Sequence, residues 1–334
     1  MEKSGTVCAV VVTYNRKVLL AECLDALLAQ ICPLSRIFVV DNASSDGTEQ
    51  YLKEKGYLAK PVIVYTRLTE NLGGAGGFYH GMKRAYESES NWIWVMDDDS
   101  EPRHDTLEIM KSFITDAPDL GMVVPKIIDK EGHIDCTARG ILRFNDSFKT
   151  MFRSELKDSD HMSGAGISFA SFVGPLVSRQ LVSKVGLPNP DFFIYHDDVD
   201  YSIRAYKDGY RMLFVPNSVV VHKEGRYFGD MRKGKCLWMI STMYRLKIKD
   251  YWRAYYATRN QIYLCKKYQD NKIYFYLEFM TGITRIIGGI LLYDDMKIER
   301  IKLVIRACLD GFAGVLGKKI DPAEWRKRFE TLKI

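Results

Sequence analysis

The chain has 334 residues, 47% of them hydrophobic and 12% aromatic, with 48 Lys and Arg against 42 Asp and Glu. This composition supplies a packed core and excludes disordered, collagen-like and low-complexity chains, and at about 150 residues per domain the length fits one α/β domain with a large extension. Seven scattered cysteines, none in a C-x-x-C pair, give no reason to expect a disulfide framework or a structural zinc site.

The first fifteen residues carry an apolar run far shorter than a signal-peptide core, which predicts a cytoplasmic protein. Short β-branched runs at Val7 to Val12, Ile37 to Val40, Val62 to Tyr65, Trp92 to Met96 and Met122 to Val124 read as buried parallel strands. Between them, Lys17 to Gln30, Thr48 to Lys55, Gly77 to Glu87 and Thr106 to Ile114 read as helices, and the alternation predicts a doubly wound, mostly parallel α/β sheet. From Gly132 to Phe169 the pattern weakens into an insertion bordering the site. Pro175 to Val185 and Asp198 to Asp208 then read as helices, and Met212 to Val221 as a strand interrupted at Pro216. After Arg226 the chain reads as mainly helical.

Charge divides the chain at the same place. From Arg226 onward there are 23 basic and 11 acidic residues, or +12, which leaves −6 before it. The acidic first part argues against nucleic acid as ligand. The basic part, with apolar faces at Leu237-Trp238-Met239, Tyr251-Trp252, Tyr274-Phe275-Tyr276 and Ile286-Ile287, suits acceptor recognition, an anionic membrane surface or self-association. Glu278 and Arg285 break its most apolar window, Ile273 to Tyr293, which disfavours a spanning helix but not an interfacial one.

Chemistry concentrates at strand ends. Asp97, Asp98 and Asp99 follow an apolar strand, at the sheet edge where open α/β folds bind ligands. Carboxylates this close need a neutralising cation, and in Asp-x-Asp spacing Asp97 and Asp99 reach one Mn²⁺ or Mg²⁺ while Asp98 turns away or meets the ligand. Asp41 and Asn42 end a second strand, and Thr13, Tyr14, Asn15 and Arg16 a third, so three ends converge on a crevice of the kind a nucleotide needs. Asp46 and Thr48 read as turn and cap. The glycines of Asn71-Leu72-Gly73-Gly74-Ala75-Gly76-Gly77 let backbone N–H groups approach a ligand, without the spacing of a dinucleotide fold or a P-loop. In Tyr195-His196-Asp197-Asp198-Val199-Asp200, one carboxylate is a candidate general base, with helix capping as the alternative. His222, closing a strand, either completes the metal shell or is a hydrogen-bonded core histidine; beside Asp97 and Asp99 the ligand reading is preferred.

In chain order, Val11-Val12-Thr13-Tyr14-Asn15-Arg16, Val39-Val40-Asp41-Asn42, Asn71-Leu72-Gly73-Gly74, Asp97-Asp98-Asp99 and Phe193 to Tyr201 with His222 resemble the motifs of the inverting family-2 glycosyltransferases of the GT-A fold. The resemblance covers about residues 6 to 225, which implies a GT-A domain at 1–225 (nucleotide-sugar half about 1–130, acceptor half about 131–225) and a basic, mainly helical region at 226–334. It implies that Thr13, Arg16 and Asp41, with Asn15, Asn42, Asn71, Gly74 and Asp98 nearby, hold the nucleotide. Asp97, Asp99 and His222 would hold the cation, and Asp198 or its neighbour Asp197, which stands where many members have Glu, would be the base. Asn71 to Phe78, Trp92-Ile93-Trp94 and Tyr255-Tyr256-x-x-Arg259-Asn260 look most like the bacterial galactofuranosyltransferase and rhamnosyltransferase branch. UDP-galactofuranose is then the expected donor and dTDP-rhamnose the alternative, with a glycan or lipid-linked glycan as acceptor and peripheral attachment at the inner face of the plasma membrane. A sugar nucleotidyltransferase is the more distant alternative, since Thr13 to Lys17 lacks the Gly-rich basic phosphate loop expected of one.

Overall fold

The computed structural model of the chain describes residues 5–115, 117–142, 165–224, 232–236 and 239–330. The chain divides into two compact units. The first runs through 142, then takes in 165–190 and 197–224; the second holds 191–196 and the described residues from 232 on. The expected insertion falls mostly on 143–164, and Leu237-Trp238 of the expected apolar faces also lies outside the described residues.

In the first unit β1 (Val7–Thr13), α1 (Lys17–Leu28), β2 (Arg36–Asp41), α2 (Thr48–Glu54), β3 (Ile63–Arg67), α3 (Gly73–Glu87) and β4 (Trp92–Asp97) alternate as the apolar periodicity predicts. There follow β5 (Ser100–Pro102), α4 (Thr106–Ser112), β6 (Leu120–Ile128), β7 (Arg139–Gly140), β8 (Ala165–Ile167), β9 (Phe169–Ala170), β10 (Leu176–Ser178), α5 (Arg179–Val185), α6 (Asp197–Lys207) and β11 (Arg211–His222). The main sheet has the order β3-β2-β1-β4-β10-β6-β11-β5, with β8 on β11. Pairing is parallel among β1, β2, β3 and β4 and between β6 and β11, and antiparallel where β10, β5 and β8 join.

Every residue of β1 is buried, because helices cover both faces of the sheet. On one face Leu20, Leu24 and Leu27 of α1 pack with Val7 and Val11 of β1 and with Val39 and Trp94; on the other, Phe78 and Met82 of α3 pack with Val10, Val40 and Val95. α3 lies close to the sheet. A Cβ added at Gly77 would stand 2.3 Å from Val12 Cγ1, and one at Gly81 2.3 Å from Val10 Cγ1.

Two expectations are corrected. Pro175 to Val185 is not one helix: Leu176 to Ser178 inserts as β10 between β4 and β6, and the helix starts only after Ser178, whose Oγ caps it by accepting from the Leu181 N–H. The interruption expected at Pro216 is present: β11 runs on past it, but in an irregularity where the pairing with β6 jumps from Val215 opposite Pro125 to Val219 opposite Lys126. Helix α3 begins at Gly73 rather than Gly77.

The second unit holds a hairpin of β12 (Arg232–Cys236) and β13 (Met239–Arg245), absent from the helical expectation, and then α7 (Trp252–Tyr268), α8 (Lys272–Tyr293), α9 (Lys297–Ala313) and α10 (Pro322–Glu330). α8 is long and apolar enough to cross a membrane by length and composition. Its two mid-helix charges interrupt the run without lowering the mean hydropathy enough to exclude a span.

Candidate active site

Parallel pairing assembles the sheet edge. Thr13 stands opposite Asp41, and Val12 opposite Asp97, so the polar residues ending β1, β2 and β4 share one carboxyl edge. Thr13 Oγ1 donates to Asp98 Oδ2 at 2.7 Å. Arg16 Nη1 lies 3.2 Å from both Asp98 Oδ1 and Asp99 Oδ2, and its Nε is 3.8 Å from Glu224 Oε2. Asp98 is therefore engaged by Thr13 and Arg16.

His222 arrives from far along the chain. The three residues of β5 pair with the end of β11, placing His222 opposite Ser100, and the Lys223 N–H donates to the Asp99 carbonyl at 3.0 Å. The ligating atoms of Asp97, Asp99 and His222 lie within 4.8 Å of one another. His222 Nε2 is 3.1 Å from Asp99 Oδ1, a buried oxygen with no other partner among the described residues.

Burial pushes Asp97 up to about 7, with the Asp99 charge adding to the shift and His222 opposing it. Burial also lifts Asp98 to about 6, against the pull of Arg16 and Thr13. Burial opposes ionisation of Asp99 as well, but His222 and Arg16 outweigh it and hold this carboxyl below its ordinary value. For His222, burial is overcome by Asp99 and Asp97, and the imidazole pKa is raised. Two carboxylates and an imidazole, excess negative charge and a buried oxygen met only by that imidazole together fit a hard divalent cation such as Mn²⁺ or Mg²⁺. A second group that could hold an ion, Asp129, Glu131 and His133, is more exposed. There Asp129 Oδ1 already accepts from the Glu131 and His133 N–H groups, as in an ordinary turn.

Asp41 is fully buried, its Oδ1 accepting from the Ser44 N–H at 2.7 Å and its Oδ2 from the Tyr65 hydroxyl at 2.5 Å. Asn42 Nδ2 donates to the Gly73 carbonyl at 3.1 Å, while its buried Oδ1 has no partner among the described residues. Asn15, at φ 56°, accepts from the Ser45 N–H and receives Ser44 Oγ at its own N–H, so it braces one loop on the next. Asn71 accepts from the Gly73 N–H, and Gly74 faces open space, whereas Gly77 serves helix-to-sheet contact. Asp46 takes the turn role expected of it, accepting from the N–H groups of Thr48 and Lys17, but the residue at the N-cap of α2 is Gly47 and Thr48 is the first residue of the helix.

The second acidic cluster opens α6. Asp198 is partly exposed and its Oδ1 accepts from the Val199 N–H at 2.7 Å. Burial raises Asp198 to about 6, the Val199 N–H opposing. Burial, then the charges of Asp198 and Asp97, push Asp197 well above the carboxylate range, so Asp197 holds its proton more tightly than Asp198 does. Asp97 is thus near enough to act on Asp197, and the two acidic clusters form one electrostatic site. Asp200 is instead paired with Arg204, Oδ2 to Nε 2.8 Å.

Sequence reasoning missed Glu224, which shares Arg16, and Lys223, which pairs with Glu22 and Glu101. It also missed Asp135, whose charge helps raise His222. Glu224 had a signal in standing two residues beyond His222; Asp135, inside the weakly patterned insertion, had none.

The family model for glycosyl transferase family 2 matches residues 8–186. The chain is 32% identical over 216 residues to galactofuranosyltransferase GlfT1 of Mycolicibacterium smegmatis, which takes in 63% of this chain and 68% of that protein. It is 22% identical to dTDP-rhamnosyl transferase RfbF of Shigella flexneri over 94% of this chain and 98% of that one. Among solved structures it is similar to the mannosyltransferase PcManGT from Pyrobaculum calidifontis in complex with GDP-Man and Mn²⁺, with a TM-score of 0.51, 18% identity, and coverage of 98% of this chain and 79% of that one. The structural likeness shows the fold, and the family match takes in more than half of the chain, from the first strand through the acidic strand end at Asp97 to the close of α5. The protein belongs to glycosyl transferase family 2 and is a glycosyltransferase of the GT-A fold.

Proposed function

We propose that the protein is an inverting, divalent-cation-dependent transferase that moves galactofuranose from UDP to a hydroxyl of a lipid-linked or polysaccharide acceptor during cell-surface glycan synthesis. The observation that carries the reading is the meeting of Asp97, Asp99 and His222 at the sheet edge, electrostatically coupled to the carboxyl pair at the start of α6. Thr13, Arg16, Asp41 and Asn42, with Asn15, Asn71, Gly74 and Asp98 around them, would receive the nucleotide. Bound at Asp97, Asp99 and His222, Mn²⁺ or Mg²⁺ would supply positive charge for the leaving diphosphate.

Asp198 is the base and Asp197 the protonated neighbour. Asp198 takes the proton from the acceptor hydroxyl, whose oxygen bonds to the anomeric carbon as the bond from that carbon to the diphosphate oxygen breaks. The diphosphate leaves with the electron pair, and configuration inverts in one displacement. Partial exposure of Asp198 suits a group that must meet an incoming hydroxyl. The GlfT1 relative, at 32% identity, supports galactofuranose as the donor sugar; the near full-length alignment with RfbF favours dTDP-rhamnose as a second reading. Calorimetric titration with UDP and dTDP, each with and without Mn²⁺ or Mg²⁺, tests both. Metal-dependent preference for UDP is expected; preference for dTDP would replace the donor, and binding of neither would sink the reading.

We further propose that α8 seats the protein on an anionic membrane surface. Ile273, Leu277 and Leu292 are 77%, 61% and 72% exposed, Tyr274, Tyr276 and Tyr293 stand near its two ends, and the chain from Arg226 on carries the +12 excess.

A further inference from the structure

The motif Tyr255-Tyr256-x-x-Arg259-Asn260 has no task in the reaction just described, and the segment Asp191 to His196 has a backbone that ordinary residues avoid. Phe193, Tyr195 and His196 have φ of 65°, 66° and 67°. Three non-glycine residues in the left-handed region within four positions persist only where the surroundings over-determine them. The contacts that follow lie inside the second unit.

Asn260 Nδ2 stands 3.1, 2.9 and 2.8 Å from the carbonyl oxygens of Phe192, Ile194 and Tyr195. An amide nitrogen has two hydrogens, so one of them is shared between carbonyls. Arg259 Nε donates to Asn260 Oδ1 at 2.8 Å, which sets the amide with its nitrogen toward the segment. Arg259 Nη2 donates to the Phe192 carbonyl at 2.9 Å and Nη1 to the Gly317 carbonyl at 2.6 Å. Both side chains are fully buried, and the Tyr255 and Tyr256 rings flank the guanidinium at 5.6 and 4.8 Å. Tyr256 also packs on Phe193, with ring centroids 4.7 Å apart, and Tyr263 on Phe192 at 5.8 Å. One face of α7 is thus a mould for the 191–196 backbone.

The chain passes from His196 by peptide bonds into Asp197 and Asp198. We infer that Asn260, oriented by Arg259, is a positioning residue for the Asp198 base: it fixes the left-handed backbone from which α6 departs and so the place of the carboxylate. The inference rests on the proposed role of Asp198. Neither Asn260 nor Arg259 touches substrate; their effect passes through the segment they hold.

The test compares Asn260→Ala and Asn260→Asp with the native protein. The Asp variant keeps the shape but faces the three carbonyls with oxygen in place of N–H. Each variant is read in three ways: kcat and KM for the nucleotide-sugar donor that supports native turnover, UDP affinity by calorimetry with Mn²⁺, and amide hydrogen exchange. Expected is a fall in kcat of about 10²-fold, since a displacement near 1 Å at a reacting group costs that much. Donor KM and UDP affinity should stay within about threefold, and exchange should rise at residues 192–199 but not at 93–99. Native kcat with native exchange in either folded variant would overturn the inference. So would equal losses in kcat and UDP affinity with exchange raised throughout, which would mark Asn260 as merely structural. Failure of the native protein to turn over either donor would count against the proposed reaction instead, and the positioning claim would then stand or fall on exchange at 192–199.

Discussion

Replacing Asp198 with Asn separates catalysis from stability, because the same burial that would tune the proposed base also costs folding free energy. The carboxyl rises from 3.8 to about 6, and at about 1.4 kcal/mol per pKa unit the ionised form carries a cost of at most about 3 kcal/mol. Asp198 keeps part of its surface open to water, and screening there, together with losing a carboxylate from a helix N-terminus worth about 0.3–1 kcal/mol, reduces the net gain to about 1–2 kcal/mol. The sign follows from linkage. A raised carboxyl binds its proton more tightly in the folded than in the unfolded chain, so stability falls as pH climbs from about 4 to about 6 and stays lowered above. Asp198→Asn should therefore gain nothing below pH 4, about half its advantage at pH 5 and all of it at pH 8. Urea unfolding at pH 5 and pH 8 measures this. The variant should also lose about 10²–10⁴-fold in transfer while UDP still binds. Native turnover would refute the base assignment, and a variant less stable than the native protein at pH 8 would refute the electrostatic account.

Transfer by the native protein should fall about tenfold per pH unit below pH 6, as Asp198 becomes protonated; an acid limb near pH 4 in kcat against pH would mean that the base is an unshifted carboxyl. Asp97→Asn should raise the melting temperature of the metal-free protein, because it removes a carboxyl held up at about 7, and should abolish the further rise that Mn²⁺ with UDP gives the native chain. An unchanged Mn²⁺ response by scanning fluorimetry would remove Asp97 from the metal site. Gly81→Ala should destabilise by about 1–3 kcal/mol despite the better helix propensity of Ala, because its Cβ would stand 2.3 Å from Val10 Cγ1; a neutral result in urea would show that α3 moves off the sheet freely. Leu277→Glu should abolish sedimentation with vesicles containing about one third anionic lipid. Binding that survives the substitution, or its absence in the native chain at low salt, would reject the docking role of α8.

What was legible in the sequence follows from how local each signal is. β1, β2 and β4 are β-branched runs buried on both faces, and parallel pairing of such runs puts their polar ends at one edge whatever follows, so Thr13, Asp41 and Asp97 could be brought together from pattern alone. The meeting of Asp99 with His222 depends instead on β5, three residues too short to show a period, and on β11 continuing past Pro216. The irregularity there has a visible anchor: Thr106 Oγ1 donates to the Val219 carbonyl and Ser218 Oγ to the Thr106 carbonyl, contacts across more than a hundred residues. Asn15 and Asn71 have the residue type of ligand contacts, but in the fold Asn71 accepts from the Gly73 N–H, a local bond open to any Asn in a turn, while Asn15 accepts from the Ser45 N–H of another loop, which no local pattern shows.

The acidic run Asp197-Asp198-Val199-Asp200 shows the limit most clearly. Three like residues within four positions cannot be told apart by sequence, and the fold gives each a different environment. Asp200 faces Arg204 and is neutralised. Asp197 faces Asp198 and Asp97 and keeps its proton. Asp198, with the Val199 N–H and its own N–H against its burial and with an opening to solvent, is left ionisable near neutral pH. The chemistry is therefore divided among the three carboxyls by the register of one helix start. On the proposed assignment, the backbone just before it, left-handed at Phe193, Tyr195 and His196, matters to the proposed base as much as the aspartate itself.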